Sequence, residues 1–405
     1  MGAHWNVAIM DSIGEGEAAK LAVVSGGPFR WIRHPNYLAV FLELLALPLV
    51  HAAWLTAGLG SLAHLWVLRH RIRAEERALL THSSYQSVMS GKPRFVPRPI
   101  LTMLARLGAL IRLGRPLFLV GGFLLYGLGV AAAAGHGSAI DPTLFVLGLA
   151  AVASFQLMTH YANDYFDYPA DCLNLSATRW SGGSRVLVRG ELPRGAGLIV
   201  ALLAAGAGLA VTGLLAMRGS AGPVAPLLLV IALLSWAYSA PPLRLHSTGF
   251  GELDCTLVVT GLVPLFAFQL HAHGLAPSRE LLLAIAPLCC LQFAMLVAVS
   301  VPDAAGDAAA GKRTLVVRLG SQRAVRLQAA AVVLAYGSLP ALHAAGLPGA
   351  VALAAAVPAP LALWQVTRMR AGRSLQPGNW EAYTFWSAAL LVLTAAAEIA
   401  GFMVG

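Results

Sequence analysis

The sequence predicts an all-α integral membrane protein: a bundle of nine transmembrane helices preceded by an amino-terminal membrane hairpin. Three observations carry that expectation. Hydrophobic residues make up 58% of the 405 and charged residues only 11%, whereas soluble domains carry about 25% charge. A single aqueous core cannot bury so apolar a chain, because cores stop growing near about 250–300 residues. Nine apolar stretches follow residue 114, each close to the roughly 20 residues a hydrocarbon core requires. The basic residues, finally, segregate to one side of those stretches.

The stretches run over roughly 116–134, 143–163, 196–217, 223–240, 254–272, 281–302, 325–345, 347–367 and 382–404, bounded by Gly, Pro and charge. A weaker pair, roughly 37–50 and 52–68, precedes them, and the first of these contains Pro48. The expected division is residues 1–100 as the hairpin and its flanks, 101–114 as an interfacial linker, and 115–405 as the bundle. With the segment before residue 116 on the cytoplasmic side and the spans alternating, 26 of the 28 Lys and Arg fall on that side, leaving Arg218 and Arg279 outside. The positive-inside rule demands this asymmetry. The surplus of ten positive charges is then topological, with anionic membrane lipids as partners. Nucleic acid is excluded as a partner, since it would need those charges on one soluble face. The expected location is the cytoplasmic (inner) membrane. No cleavable signal peptide is expected, because Met1 opens onto a stretch of mixed polarity. The four cysteines, Cys172, Cys255, Cys289 and Cys290, show neither metal nor disulfide spacing.

Five of the eight aspartates fall in two clusters at cytoplasmic ends of spans. The first is Asn163-Asp164-Tyr-Phe-Asp167-Tyr-Pro-Ala-Asp171. At 100° per residue its three carboxylates share one helix face. The second is Ser300-Val-Pro-Asp303-Ala-Ala-Gly-Asp307, followed by Gly311-Lys312-Arg313-Thr314, with Asp303 and Asp307 as i, i+4 neighbours. Carboxylates so placed repel one another unless a cation neutralises them, and Mg²⁺ suits an all-oxygen set completed by phosphate. Two facing clusters, with Asn163, Asp164, Asp167, Asp171, Asp303 and Asp307 as metal ligands, would hold a metal-bridged diphosphate. Arg185, Arg244, Lys312 and Arg313 would grip its other oxygens. A cation-coupled transporter is the alternative from another class, but it would place its acids near the midplane.

These motifs resemble those of the UbiA family of membrane prenyltransferases. The first cluster resembles that family's N-D-x-x-D-x-x-x-D signature; the second, with Lys312-Arg313-Thr314-Leu315 and Arg318-Leu319-Gly320, resembles its second aspartate region. Arg115-Pro116 resembles the family's usual start. The resemblance covers residues 106–405 and implies a nine-helix UbiA-like bundle around a cavity open to lipid, with the site facing the cytoplasm. It implies Mg²⁺-dependent transfer from a polyprenyl diphosphate to an aromatic acceptor, a quinone precursor or phenol. Asp164, Asp167 and Asp303 would act in catalysis. Tyr238-Ser-Ala-Pro241-Pro242-Leu-Arg244 resembles a loop of the dihydroxynaphthoate branch whose Tyr and basic residue face the active site, adding Tyr238 as catalytic. Ser181-Gly-Gly-Ser184-Arg185 resembles the same branch. Ser300 stands where relatives usually carry Asp or Asn, and a hydroxyl is the weaker ligand.

Residues of roughly 25–100 read differently. Arg33-His34-Pro35-Asn36-Tyr37 and Glu75-Glu76 resemble the cofactor-binding elements of the isoprenylcysteine carboxyl methyltransferase family. The resemblance implies S-adenosylmethionine binding by His34, Tyr37, Glu75 and Glu76, in a version lacking the family's earlier membrane helices. A bifunctional enzyme that also methylates a lipid-like acceptor is the corresponding alternative.

Overall fold

The computed structural model describes residues 23–81, 83–218, 224–273 and 276–404; the signal-peptide expectation lies outside these. Among the described residues every regular element is helical. The chain divides into two compact units, one ending at Gly108 and one running from Ala109 to Gly405.

In the first unit, α1 (Pro35–Val50) and α2 (Trp54–Leu79) form the expected hairpin. Its tip is apolar and bare: Val50 is 79% exposed and Leu55 80%, an arrangement suited to lipid rather than water. At the other end Tyr37, Leu68 and Ile72 make a small core with Phe95 against it. Backbone N–H groups of Arg33 and His34 donate to the carbonyls of Pro93 and Arg94, closing the base.

A helix α3 (Arg98–Leu113) leads to the long spans: α4 (Pro116–Gly135), α5 (Pro142–Phe166), then the short α6 (Tyr168–Leu173), α7 (Arg194–Ala216), α8 (Ala225–Ala237), α9 (Gly251–His271), α10 (Arg279–Ala309), α11 (Ser321–Ala344), α12 (Gly349–Ala356), α13 (Ala359–Arg370) and α14 (Trp380–Val404). Side-chain caps start two of them. Asp141 accepts from Thr143 N at 2.6 Å at the start of α5, and Ser278 accepts from Leu281 N at 3.1 Å at the start of α10.

All nine apolar stretches are mainly helical, while nine full-length spans are not confirmed among the described residues. Among the described residues seven helices are long and apolar enough to cross a membrane, and α12 with α13 makes an eighth only as a pair bent by 42°. The break falls at Pro358, with Pro360 following, where two backbone donors are missing. The fourth stretch, 223–240, folds over only the 13 residues of α8. At 1.5 Å per residue that is about 20 Å, short of the roughly 30 Å hydrocarbon core.

The bundle has two main cores. One, around Leu128, Leu288, Val351 and Leu391, joins α4 to α10, α12 and α14. The other, around Phe155, Leu228 and Phe266, joins α5 to α8 and α9. Helices α4 and α9 approach so closely that a side-chain carbon on Gly129 would collide with the backbone carbonyl of Pro264.

Candidate active site

The first motif does not lie on one helix. α5 stops at Phe166, Asp167 is its C-cap, and Asp171 belongs to α6. The cause is local: Pro169 has no N–H for the carbonyl of Tyr165. That carbonyl instead accepts from the Arg194 guanidinium, at 3.3 Å from Nε and 3.2 Å from Nη2. Asp303 and Asp307 do share one helix, α10, as expected. Pro302 likewise frees the carbonyl of Ala298, which accepts from Thr384 Oγ1 at 3.4 Å.

The two motifs meet through side chains of opposite charge. Lys312 Nζ lies 3.0 Å from Asp167 Oδ2 and 3.1 Å from Asp307 Oδ1, with 8% of the lysine side chain exposed. Burial alone would pull the ammonium down, but the two carboxylates outweigh it and raise its pKa. Burial likewise works to raise the Asp167 carboxyl; His246 and Lys312 outweigh it and hold the group below its ordinary range. Asn163 Nδ2 donates to Asp167 at 2.8 Å. Asp164 is ion-paired with Arg115 and accepts from the Ser184 hydroxyl, and from Ser184 N at 3.1 Å.

The glycine-rich segment 181–185 threads between the motifs. Gly182 N donates to Asp303 at 2.8 Å, and Asn174 Nδ2 donates to the same carboxylate at 2.7 Å. Gly183, at φ +74°, lies so close to Asp171 that any side-chain carbon would collide with its carboxylate. Arg185 Nη1 donates to two backbone carbonyls, those of Asp171 and Asn174. Arg115, Arg185 and Arg244, all flanking the motifs in sequence or space, take left-handed backbone at φ 49°, 63° and 44°. Such conformations persist only where the surroundings over-determine them.

Tyr238 stacks on His246, with ring centroids 5.1 Å apart and Oη 3.2 Å from Nδ1. His246 Nε2 in turn sits 3.4 Å from Asp167. With Nε2–H directed at the carboxylate, Nδ1 is left to accept from the tyrosine hydroxyl. Burial lowers the imidazole's pKa, against the pull of Asp167.

Of the residues singled out in sequence, the structure therefore joins Asn163, Asp167, Asp307 and Lys312 directly, and links Tyr238 to them through His246. Asp164, Asp171 and Asp303 are gathered by the 181–185 segment. Arg244 and Arg313 are exposed and contact none of these carboxylates. Ser300 donates back to the Leu296 carbonyl at 3.0 Å. Four contributors were not identified as site residues: Arg115 as the partner of Asp164, Asn174, Ser184 and His246. Only His246 carried a usable signal, as a titratable group two residues after Arg244.

The donor chemistry fits a hard cation, being all oxygen. Asp171 supplies the further observation. Burial, then repulsion from Asp164 and Asp167, pushes its carboxyl up to about 7. Burial is the first cause, and the charges of Asp164 and Asp167 add to it against the pull of Arg115 and Lys312. Among the described residues no three Asp, Glu, His or Cys side chains converge as a ready-made metal cage; Arg115 pairs with Asp164, and Lys312 stands between Asp167 and Asp307.

In the first unit, the four residues assigned to S-adenosylmethionine are brought together, but into each other. His34 Nε2 meets Glu76 Oε1 at 3.1 Å, and the Tyr37 hydroxyl donates to Glu75 at 2.5 Å. Glu76, 5% exposed, also takes Arg33 at 3.1 Å and Arg94 at 2.5 Å. Both its oxygens are engaged, so the arrangement does not fit the cofactor and no methyl-transfer step follows from it.

Fold and site define a polytopic α-helical membrane protein whose paired acidic motifs meet at one end of the bundle. The chain belongs to the UbiA prenyltransferase family, whose model matches residues 123–395. Residues 1–81 match the isoprenylcysteine carboxyl methyltransferase (ICMT) family model. The chain is similar to coumarin 8-geranyltransferase 1 of Citrus limon, 29% identical over 209 residues, 49% of each chain. It is also similar to 1,4-dihydroxy-2-naphthoate octaprenyltransferase of Bacillus subtilis, 26% identical, covering 49% of this chain and 61% of that one. It thus spans about half to three fifths of the length of these curated relatives. A solved UbiA homologue from Archaeoglobus fulgidus, bound to DMAPP and Mg²⁺, shares the fold with TM-score 0.50 and 18% identity, covering 71% of this chain and 98% of that one.

Proposed function

We propose that this protein transfers a polyprenyl group from a polyprenyl diphosphate to an aromatic acceptor within the membrane, with Mg²⁺. The observation that carries the reading is Lys312 clamped between Asp167 and Asp307: two acid motifs about 140 residues apart in sequence share one cation at one end of the bundle. The names of the relatives support it, since coumarin and dihydroxynaphthoate are aromatic acceptors. So does the fold relative that holds an allylic diphosphate with Mg²⁺.

Asn163, Asp164, Asp167, Asp171, Asp303 and Asp307 would hold the metal, which when bound neutralises the diphosphate. The residues of the chain do the rest. Lys312, with Arg185, Arg244 and Arg313, donates to the leaving diphosphate. Charge builds there as the allylic C–O bond breaks, so fixed cations favour the transition state over the ground state. Arg115 pairs with Asp164 and orients it. His246 pins Tyr238, whose ring face stabilises the allylic cation until an electron-rich carbon of the acceptor forms the new C–C bond and loses its proton. The motif-bearing end faces the cytoplasm in this reading, as the lysine and arginine asymmetry requires. A transporter would need its acids at mid-membrane. Here Asp167 and Lys312 lie beyond the helix ends and Asp307 in the last turn of α10. Methyl transfer by the first unit is not part of the reading, because Glu76 is saturated.

The test is incubation of the purified protein with Mg²⁺, polyprenyl diphosphates of several lengths and a set of aromatic quinone precursors and phenols, reading products by mass. A prenylated aromatic product is expected; its absence across the whole set ends the proposal.

A further inference from the structure

Between residues 308 and 380 the chain carries eight Lys and Arg and not one Asp or Glu. Only Lys312 among these eight makes an ion pair among the described residues. Two of the others, Arg326 near the start of α11 and Arg370 at the end of α13, line a cavity of about 620 Å³ between those helices. Both arginines are exposed and lie at the end of the bundle that carries the acid motifs. Farther along α11 the lining turns apolar, at Ala329 and Val333, while Met369 and Leu375 line the groove close to Arg370 in the chain. Val333 is 51% exposed and stands seven residues into α11 from Arg326, about 10 Å toward the hydrocarbon.

We infer that this groove is a binding site for an anionic glycerophospholipid, with the phosphate on Arg326 and Arg370 and an acyl chain along Ala329 and Val333. Charge complementarity selects the ligand. No carboxylate of this stretch of chain neutralises the guanidiniums, while the leaflet they face supplies phosphodiesters. Depth selects a lipid over a soluble phosphate, because a groove that descends along two spans is filled by whatever the bilayer holds. Its volume falls in the range of ligand-sized clefts, about 300–1,000 Å³. Arginine rather than lysine at both positions suits bidentate grip on a phosphate. The site is distinct from the acid motifs and stands whether or not the proposed transfer reaction is correct.

The full-length protein in detergent is titrated with dioleoylphosphatidylglycerol and, separately, with dioleoylphosphatidylcholine, and bound lipid is counted by native mass spectrometry. Each arginine that grips the phosphate is worth roughly five-fold in affinity, so phosphatidylglycerol should be retained at least about ten-fold better than phosphatidylcholine. R326Q/R370Q should abolish that preference. A330F, which fills the groove beside untouched arginines, should lower retention of both lipids. R323Q removes a charge near the same end but outside the groove, and should leave retention unchanged. Equal retention of the two lipids would overturn the site, as would a double variant that still prefers phosphatidylglycerol, or an equal loss in R323Q. Displacement by excess glycerol 3-phosphate, which has no acyl chains, would overturn the lipid assignment.

Discussion

Both units of this chain bury carboxylates against cations, and they do so to opposite ends. In the hairpin, Glu76 meets Arg33, His34 and Arg94, three partners for one acid. In the bundle, Arg115 pairs with Asp164 and Lys312 with Asp167 and Asp307, Asp303 is held by the neutral donors Asn174 and Gly182, and Asp171 stands nearby with its carboxyl pushed up to about 7. A saturated acid is a clasp that holds backbone segments together. An acid cluster with fewer cations relieves its charge by protonation, as the raised Asp171 carboxyl shows, or by taking up a cation.

The largest effect should come from the under-neutralised side. Asp164→Ala, Asp167→Ala and Asp307→Ala should each cut prenyl transfer by about 10²–10³-fold or more, with thermal unfolding still cooperative. Full activity in all three would erase the contrast between the units. Next, Lys312→Met leaves two buried carboxylates facing each other, at a cost of about 3 kcal/mol in chelator. Millimolar Mg²⁺ should recover most of that loss in a thermal melt. A loss equal with and without Mg²⁺ would mean the lysine is a structural partner only.

The clasp side should respond more modestly. Glu76→Gln removes the anion from two arginines and a histidine and should loosen the hairpin by about 1–3 kcal/mol, read by hydrogen exchange, while prenyl transfer stays near wild type. Its pH dependence has a definite sign. Burial works to raise the Glu76 carboxyl, but Arg94, His34 and Arg33 hold it below its ordinary value of 4.5. The stabilisation is therefore complete above pH of about 4.5–5 and drains away as pH falls through the depressed folded value. The Gln variant should lack that acid limb. The smallest expected signal is none at all: S-adenosylmethionine titrated into the protein should give no saturable heat. Saturable binding would mean that the clasp opens, and that the two units are more alike than their ion pairs suggest.

The helices and the acids were legible before any coordinates, for a shared reason. Spans announce themselves by composition, and aspartates beside hydrocarbon are too costly to be casual. What sequence could not give was pairing across distance. Arg115 lies 49 positions from Asp164, and Asn174 lies 129 from Asp303; no periodicity connects them. Helix ends were also misjudged where proline acts. Asp164, Asp167 and Asp171 fit one face at 100° per residue only if α5 continues, and Pro169 ends it. The short α8 was hidden likewise, because an apolar run does not reveal where a turn at Tyr238–Ser239 cuts it off.

The position of Lys312 bears on the order in which ligands arrive. Its ammonium hangs on four methylenes, so a cation that displaces it from Asp167 and Asp307 does not send it into solution. The amine stays within a few ångströms, at high effective concentration, and becomes available to the next anion. A diphosphate arriving bare would meet an amine already committed and acids in excess, and be turned away. One arriving with its counter-ion would trade cation for cation and find the lysine released beside it. Under the proposed function, the resting lock would also be a sorting step, favouring the complexed substrate over bare diphosphate.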